Sequence, residues 1–357
     1  MGVSVKNIIG MKAIHGGDVY RNHVKTDFSV NVNPLGTPKA VEAALHNAVK
    51  ECGKYPDITA YSLKEAVSEM LNVPEKNLLF GNGASELFMA VVHAIRPKKT
   101  VILVPSFYGY EYAAEAAGGE VIYYETKAEN NFCPGDELFL VLTEDVNMLF
   151  LANPNNPDGN LTDRRYLRNV LQHCREKGIY VVLDECFIEF CDAEMSSVNE
   201  AKEFPNLIIV RAFTKIFAIP GVRLGYLVCS DPKLAEKTGR QLPEWNISTF
   251  AQAAGCECAK HTAFIQETVD YIKRERRFLA DGLRKLDITV FQSDANFLLI
   301  YSEQHLYEKL LEKGILIRDC ANFRGLSEGY YRIAVKSRKE NEILLKAIGE
   351  IKQSGDI

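Results

Sequence analysis

Between Phe213 and Tyr226 the chain reads Phe-Thr-Lys-Ile-Phe-Ala-Ile-Pro-Gly-Val-Arg-Leu-Gly-Tyr. Lys215 thus lies between a hydroxyl, Thr214, and a guanidinium, Arg223, with a Pro-Gly turn on the way. A lysine amine can condense with an aldehyde to form a Schiff base. A hydroxyl and an arginine nearby can hold a phosphate. A lone lysine is by default a solvated surface charge. Here the neighbours are apolar, and further parts of one site recur elsewhere in the chain. An aldehyde carried on a phosphate meets both demands, and pyridoxal 5'-phosphate (PLP) is such a molecule.

The other candidates each have a plainer reading beside the chemical one. Gly81-Asn-Gly-Ala-Ser-Glu86 follows a strand-like run and opens a helical one, so Gly83, Ala84 and Ser85 could offer close backbone approach and free N–H groups to a phosphate. A simple strand-to-helix turn would look the same. Asp184 ends the apolar run Tyr180-Val-Val-Leu-Asp, where a buried carboxylate needs a cationic or hydrogen-bonding partner. A PLP pyridinium nitrogen is one such partner, and a helix cap is the alternative. Asn156 lies in Asn153-Pro-Asn-Asn-Pro-Asp-Gly159, which is turn chemistry. It could also donate to the ring hydroxyl of PLP. Phe107, in Pro105-Ser-Phe-Tyr-Gly, could stack on a pyridine or simply fill a core. Arg318, Arg324 and Arg332 fall within fifteen residues of an acidic chain. Arginine's planar fork suits carboxylates, so the cluster points to a substrate with two anionic groups. Solvated surface arginines are the plainer reading.

The elements that must position these residues alternate along the chain. Apolar runs predict strands at Asn77–Phe80, Thr100–Val104, Val121–Tyr124, Met148–Ala152, Ile179–Leu183, Leu207–Val210 and Gly225–Val228. Helical patterns separate most of them, as at Ala84–Ile95 and Asp163–Lys177. A helix is expected after Thr37 with Pro38 at its first position, and another from Ser62 with Glu65 completing a capping box. This alternation predicts an α/β fold with a mostly parallel sheet covered on both faces by helices. A long helix near Thr262–Leu286 follows, then strands at Ile288–Phe291, Asn296–Ile300 and Tyr331–Val335. Helices at Gln304–Lys313 and Ser337–Lys352 complete a smaller α+β unit. The expected organisation is an N-terminal arm at 1–36, a large domain at 37–280 and a small C-terminal domain at 281–357. The motifs fall at strand carboxyl ends, where open α/β sheets bind ligands.

Composition narrows the class. The 357 residues suit two domains, and 47% apolar with 25% charged content is that of a globular protein. A net charge of -5 offers nothing to nucleic acid or an anionic membrane, so an anionic substrate must be held by local arginines. The nine cysteines are scattered with no Cys-x-x-Cys pair, which predicts buried free thiols in a reducing cytoplasm and no metal site. No apolar run is long enough to span a bilayer, and the first residues lack a signal-peptide core.

Taken together, these positions resemble the fold-type I PLP enzymes of the class II aminotransferase group over nearly the whole chain. The resemblance implies an aspartate aminotransferase-like fold. It places Lys215 at the cofactor lysine, Thr214 and Arg223 at phosphate ligands, Asp184 at the pyridine partner and Asn156 at the ring-hydroxyl donor. Arg332 falls on the arginine for the substrate's α-carboxylate. Tyr55, in Lys54-Tyr-Pro-Asp57, resembles the tyrosine that reaches the phosphate of a neighbouring subunit, so a homodimer with shared active sites is implied. Two branches compete, histidinol-phosphate aminotransferase and threonine-phosphate decarboxylase of cobalamin biosynthesis. His15-Gly-Gly-Asp18, Phe28–Gly36, Thr214–Tyr226, Pro243-Glu-Trp-Asn and Ile317-Arg-Asp-Cys-Ala-Asn322 resemble the decarboxylase. Phe187 stands where the aminotransferase branch has a tyrosine. Asp18, Cys186 and Asp158 depart from the decarboxylase pattern, where Asn, Ala and Thr are usual. The implied reaction is decarboxylation of an O-phosphorylated amino acid, with transamination as the alternative. His15, Asn33, Arg318 and Arg324 are the candidates for the substrate phosphate.

Overall fold

The computed structural model describes residues 15–20, 22 and 24–353; the remainder of the expected arm (1–14, 21 and 23) and the tail at 354–357 lie outside the described residues. The principal elements begin with β1 (Thr26–Asp27), α1 (Lys39–Ala48), α2 (Tyr61–Leu71), β2 (Leu78–Gly81), α3 (Ala84–Ile95) and β3 (Lys99–Val104). Next come α4 (Gly109–Ala116), β4 (Glu120–Glu125), β5 (Met148–Ala152), α5 (Arg164–Lys177), β6 (Tyr180–Asp184), β7 (Leu207–Ala212) and β8 (Gly225–Cys229). After α6 (Thr249–Cys258) and the long α7 (Thr262–Lys285) come β9 (Thr289–Val290), β10 (Phe297–Tyr301), β11 (Ile315–Leu316), β12 (Arg318–Asp319), β13 (Tyr330–Ala334) and α8 (Arg338–Gln353).

Seven strands form one sheet in the order β2-β8-β7-β6-β5-β3-β4. All run the same way except β8, which is antiparallel to both neighbours. Alternate side chains explain why these strands are apolar throughout. Leu149, Val181, Leu183 and Ile209 enter the core on one face, while Phe150, Val182, Ile208 and Val210 enter the core on the other. With both faces covered there is no polar face to encode. The strand order reverses between β3 and β5, so loops after these strands diverge and leave a crevice at their carboxyl ends.

Local signals set the helices. Asp163 caps α5 by accepting the Tyr166 N–H at 2.9 Å, and Gly178, at φ +72°, ends it. Two expected helix starts differ in detail. Pro38 stands at the N-cap of α1, one position before its first residue. The helix expected from Ser62 begins at Tyr61, so Ser62 lies inside its first turn and no capping box forms. Asp57 does that work instead, its carboxylate accepting the N–H groups of Thr59 (2.9 Å) and Tyr61 (2.8 Å).

The second sheet, β12-β13-β10-β9, is antiparallel and packs with α7 and α8 around Leu279, Leu283, Leu298, Ile333 and Leu344. The helix α7 serves both units, since Ile272 lies in the large core and Leu279 in the small one. The expected boundary at 280 therefore falls inside a continuous helix. The segment after β1 ties the units together. Phe28 is buried in the small core and its carbonyl accepts the Ala334 N–H at 2.9 Å, while the Asn33 N–H reaches the Lys215 carbonyl at 3.1 Å.

Candidate active site

A cavity of about 880 Å³ opens at the carboxyl ends of the large sheet. Lys215, in the short helical turn after β7, lines it together with Asp184 at the end of β6. Asn156 arrives from the loop after β5 and Phe107 from the loop after β3. Because β8 is reversed, Arg223, two residues before its start, sits at the same edge of the sheet. Arg223 adopts φ +60°, a left-handed conformation uncommon for a side chain of its size.

Opposite Arg223 stands the start of α3, where Ala84 and Ser85 line the cavity. Gly83, at φ +82°, does not line it but makes room beside it. A Cβ on Gly83 would meet Nη2 of Arg223 at 2.4 Å. One on Gly225 would meet the Ala84 nitrogen at 2.7 Å. Both glycines thus keep a guanidinium, the hydroxyl of Thr214 and the amides opening α3 around one concavity, which is an anion cup.

Electrostatics distinguish the titratable groups. Burial first, then the Arg332 guanidinium and more weakly Arg223, push Lys215 down to about 8, while Cys186 and Asp184 oppose the shift. Burial pushes Asp184 up from the ordinary carboxylate range, and donors from Cys186 and Tyr110 pull it back. The Cys186 N–H donates to Asp184 Oδ1 at 2.8 Å, and the Tyr110 hydroxyl donates to Oδ2. Burial lowers Arg332 to about 10, so it stays cationic at neutral pH. Its guanidinium donates to the Ser29 carbonyl at 2.9 Å and to Asn156 Oδ1, and lies over the Phe297 ring at 5.4 Å.

Arg318, which also lines the cavity, donates to Asn322 Oδ1 at 2.7 Å and lies over Phe323. His15 lines the same region, near Phe107. Partial burial, then Arg318 and Arg332, hold its imidazole below the usual pKa, which leaves a neutral ring at neutral pH. Arg324 also lines the cavity but is already paired with Glu111 at 3.0 Å and packed over Tyr123 at 3.9 Å.

Besides Gly83, the sequence candidates Asn33 and Tyr55 do not line the cavity. Asn33 is buried, and its amide donates to the Ile216 carbonyl (2.7 Å) and Thr268 Oγ1 (2.8 Å) while its oxygen accepts the Leu35 N–H. Its side chain is fully committed to holding the backbone beside Lys215, so it has nothing to offer a substrate phosphate. Tyr55 is 82% exposed and packs against Trp245 at 5.0 Å. Conversely, Asn31 lines the cavity, is buried, and has both amide atoms without a hydrogen-bond partner among the described residues. The sequence showed two asparagines in one motif but not which would turn inward. Tyr110 was missed as well; it reads as one more aromatic in a helix.

The donor set fits PLP on the structure's own terms. The glycine-bounded cup suits a phosphate, the buried carboxylate suits a protonated ring nitrogen, and Asn31 and Arg332 Nε are buried polar groups awaiting partners. Among the described residues no group of three or more His, Cys, Asp or Glu side chains is placed to hold a metal ion. Nor is any helix there long and apolar enough to cross a membrane.

Comparison with known proteins follows the same line. The family described as aminotransferase class I and II matches residues 23–348. The threonine-phosphate decarboxylase of Salmonella typhimurium is 35% identical over 91% of this chain and 90% of its own length. The solved histidinol-phosphate aminotransferase of Clostridium acetobutylicum superposes with a TM-score of 0.87 at 35% identity, covering 92% of this chain and 99% of that one. The L-threonine-O-3-phosphate decarboxylase of Porphyromonas gingivalis gives a TM-score of 0.82 at 26% identity, covering 91% and 99%.

Proposed function

The chain belongs to the aminotransferase class I and II family, and on that premise we propose that it is a PLP-dependent carboxy-lyase acting on an O-phosphorylated amino acid. The substrate is L-threonine O-phosphate and the product aminopropanol phosphate, as for cobalamin's side chain. One observation carries this reading. Two buried guanidiniums, Arg318 and Arg332, line the same cavity as the Lys215 amine, and neither is held by a carboxylate among the described residues. An amine with two anions, a carboxylate and a phosphate, answers that arrangement.

When bound, PLP supplies an aldehyde for amines and a ring that draws electrons from the substrate's α-carbon. The cup formed by Arg223, Thr214, Ser85 and the Ala84 N–H would hold its phosphate. Asp184 would hold the ring nitrogen, Asn156 the ring hydroxyl, and Phe107 would cover a face. Lys215, with a pKa of about 8, keeps a neutral fraction near pH 7 and can serve as nucleophile or proton acceptor. Arg332, fixed by Ser29, Asn156 and Phe297, orients the α-carboxylate. Favouring one carboxylate pose by about 4 kcal/mol biases the competing bond cleavages roughly a thousandfold. Arg318, His15 and Asn31 grip the phosphate and supply that remote anchoring. Phe187 packs edge-on to Phe297 at 5.0 Å and offers no hydroxyl to the ring.

The assembly we propose is a homodimer, and the compartment the cytoplasm. Tyr55 (82% exposed) and Trp245 (43%) pack against each other at the surface, and the nearby chain also exposes Val49 and Ile58, which supports a second copy docking there. All nine cysteines are free, which suits a reducing compartment. The test is to supply O-phosphothreonine to the PLP-loaded protein. Release of CO₂ with no keto acid present is the expected result. Transamination of histidinol phosphate with 2-oxoglutarate, without CO₂ release from phosphothreonine, would replace this reading by the aminotransferase one.

A further inference from the structure

Tyr110 has no part in the chemistry above, yet it is fully buried, lines the cavity and donates its hydroxyl to Oδ2 of Asp184. Its ring cannot easily turn away. Phe150 stacks on it at 5.0 Å and 12°, while Phe88 (5.1 Å) and Phe107 (5.6 Å) meet it edge-on. The second carboxylate oxygen, Oδ1, accepts the Cys186 N–H at 2.8 Å, and the Cys186 thiol faces the same carboxylate. The first turn of α4 and the end of β6 therefore bring donors to both oxygens of one acid.

A buried phenol needs an acceptor, and a backbone carbonyl would satisfy it. Donation to a carboxylate does more, because it favours the ionised form of that group. We propose that Tyr110, seconded by the Cys186 thiol, is a positioning residue that keeps Asp184 ionised and aimed into the cavity. The single proton between Asp184 and the ring nitrogen of the cofactor then rests on the nitrogen, where it makes the ring a better electron acceptor. This rests on the PLP reading for the identity of the nitrogen. Burial draws Asp184 toward its neutral form, and Lys215 and the two donors act against it. Without the phenol the proton passes from nitrogen to carboxylate, with no change in the number of protons bound.

The experiment loads the enzyme with PLP labelled with ¹⁵N in the ring and records the ¹⁵N resonance. The wild-type resonance is expected at the protonated position. Tyr110→Phe keeps the ring that Phe88, Phe107 and Phe150 enclose and removes only the donor. It should move the resonance toward unprotonated pyridine and lower kcat about tenfold, the loss of one hydrogen bond to a charged acceptor. Cys186→Ala should move it the same way by less, since a thiol is the weaker donor, and Cys186→Ser should leave it in place. A merely structural role would change the melting temperature and leave the resonance where it was; that result overturns the proposal. Should Tyr110→Phe fail to fold, Cys186→Ala decides alone, and an unmoved resonance there overturns it. Wild-type protein that takes up no PLP removes the cofactor reading and this inference together, whereas equal resonances in PLP-loaded wild type and variant remove only the inference.

Discussion

Lys215 shows what burial does to one residue. Its amine is lowered from an ordinary 10.5 to about 8, so the folded chain holds a cation it would rather release. Below pH 8 both folded and unfolded chains bind the proton, and the cost of burying the charge is fully present. Between about 8 and 10.5 the unfolded chain binds more protons, and stability rises with pH. In cofactor-free protein, Lys215→Met should therefore raise the melting temperature at pH 7. That gain should shrink through this window and level off above it; a gain that scanning calorimetry finds independent of pH would refute the assignment. Any part that persists at high pH is packing rather than charge. The types of Lys215, Asp184, Arg223 and Arg332 were legible in the sequence because each interrupts an apolar run or marks a turn. Asn31 and Asn33 were not separable. An extended strand would set residues two apart on one face, but 31–33 is irregular chain between a bend at Ser29–Val30 and a turn at Pro34–Leu35, so the strand period does not apply to the two amides.

The element scale is governed by how closely α3 and β8 approach. A Cβ on Gly225 would lie 2.7 Å from the Ala84 nitrogen and 2.8 Å from the Gly83 carbonyl carbon, both backbone atoms with little freedom to yield. Gly225→Ala should destabilise the fold by about 1–3 kcal/mol and weaken PLP binding, because it pushes apart the two sides of the anion cup. Gly221→Ala, where nothing lies within 4 Å, is the control and should be near neutral. Urea unfolding with a PLP titration on each variant decides; equal effects would show that the close approach does not matter. The strands of the large sheet were legible because burial on both faces writes them as plain apolar runs. The reversal of β8 was not, since a Pro-Gly turn does not say which way the next strand pairs. The start of α2 was misplaced for a related reason. Ser62 and Glu65 have the spacing of a capping box, but Asp57 reaches the free N–H groups first.

At the scale of the whole molecule, Tyr55 projects outward beside Trp245 and away from its own cavity. In the proposed dimer it completes the phosphate cup of the other copy. Tyr55→Ala and Lys215→Ala proteins, each nearly inactive, should then recover activity when dissociated and re-formed together. Random pairing places both defects in one site of each mixed dimer and leaves its other site intact, about a quarter of the wild-type total. No recovery from a mixture shown by sedimentation to contain mixed dimers would exclude a shared site. The sequence by itself determined the inventory: a lysine with a carboxylate, a hydroxyl and a guanidinium to accompany it, and an alternation of strand and helix that carries them to one edge of a sheet. Those features depend on residue type and short-range periodicity, which a linear reading contains. Only the tertiary structure decided which of several similar residues are free to act. Among the described residues, Arg318 and Arg332 are left without a carboxylate ion pair while Arg324 is held by Glu111, Asn31 is turned inward while Asn33 is fully bonded, and Tyr110 is set against Asp184. These outcomes depend on contacts between distant segments, such as Arg332 on the Ser29 carbonyl 303 residues away, and no local pattern encodes them.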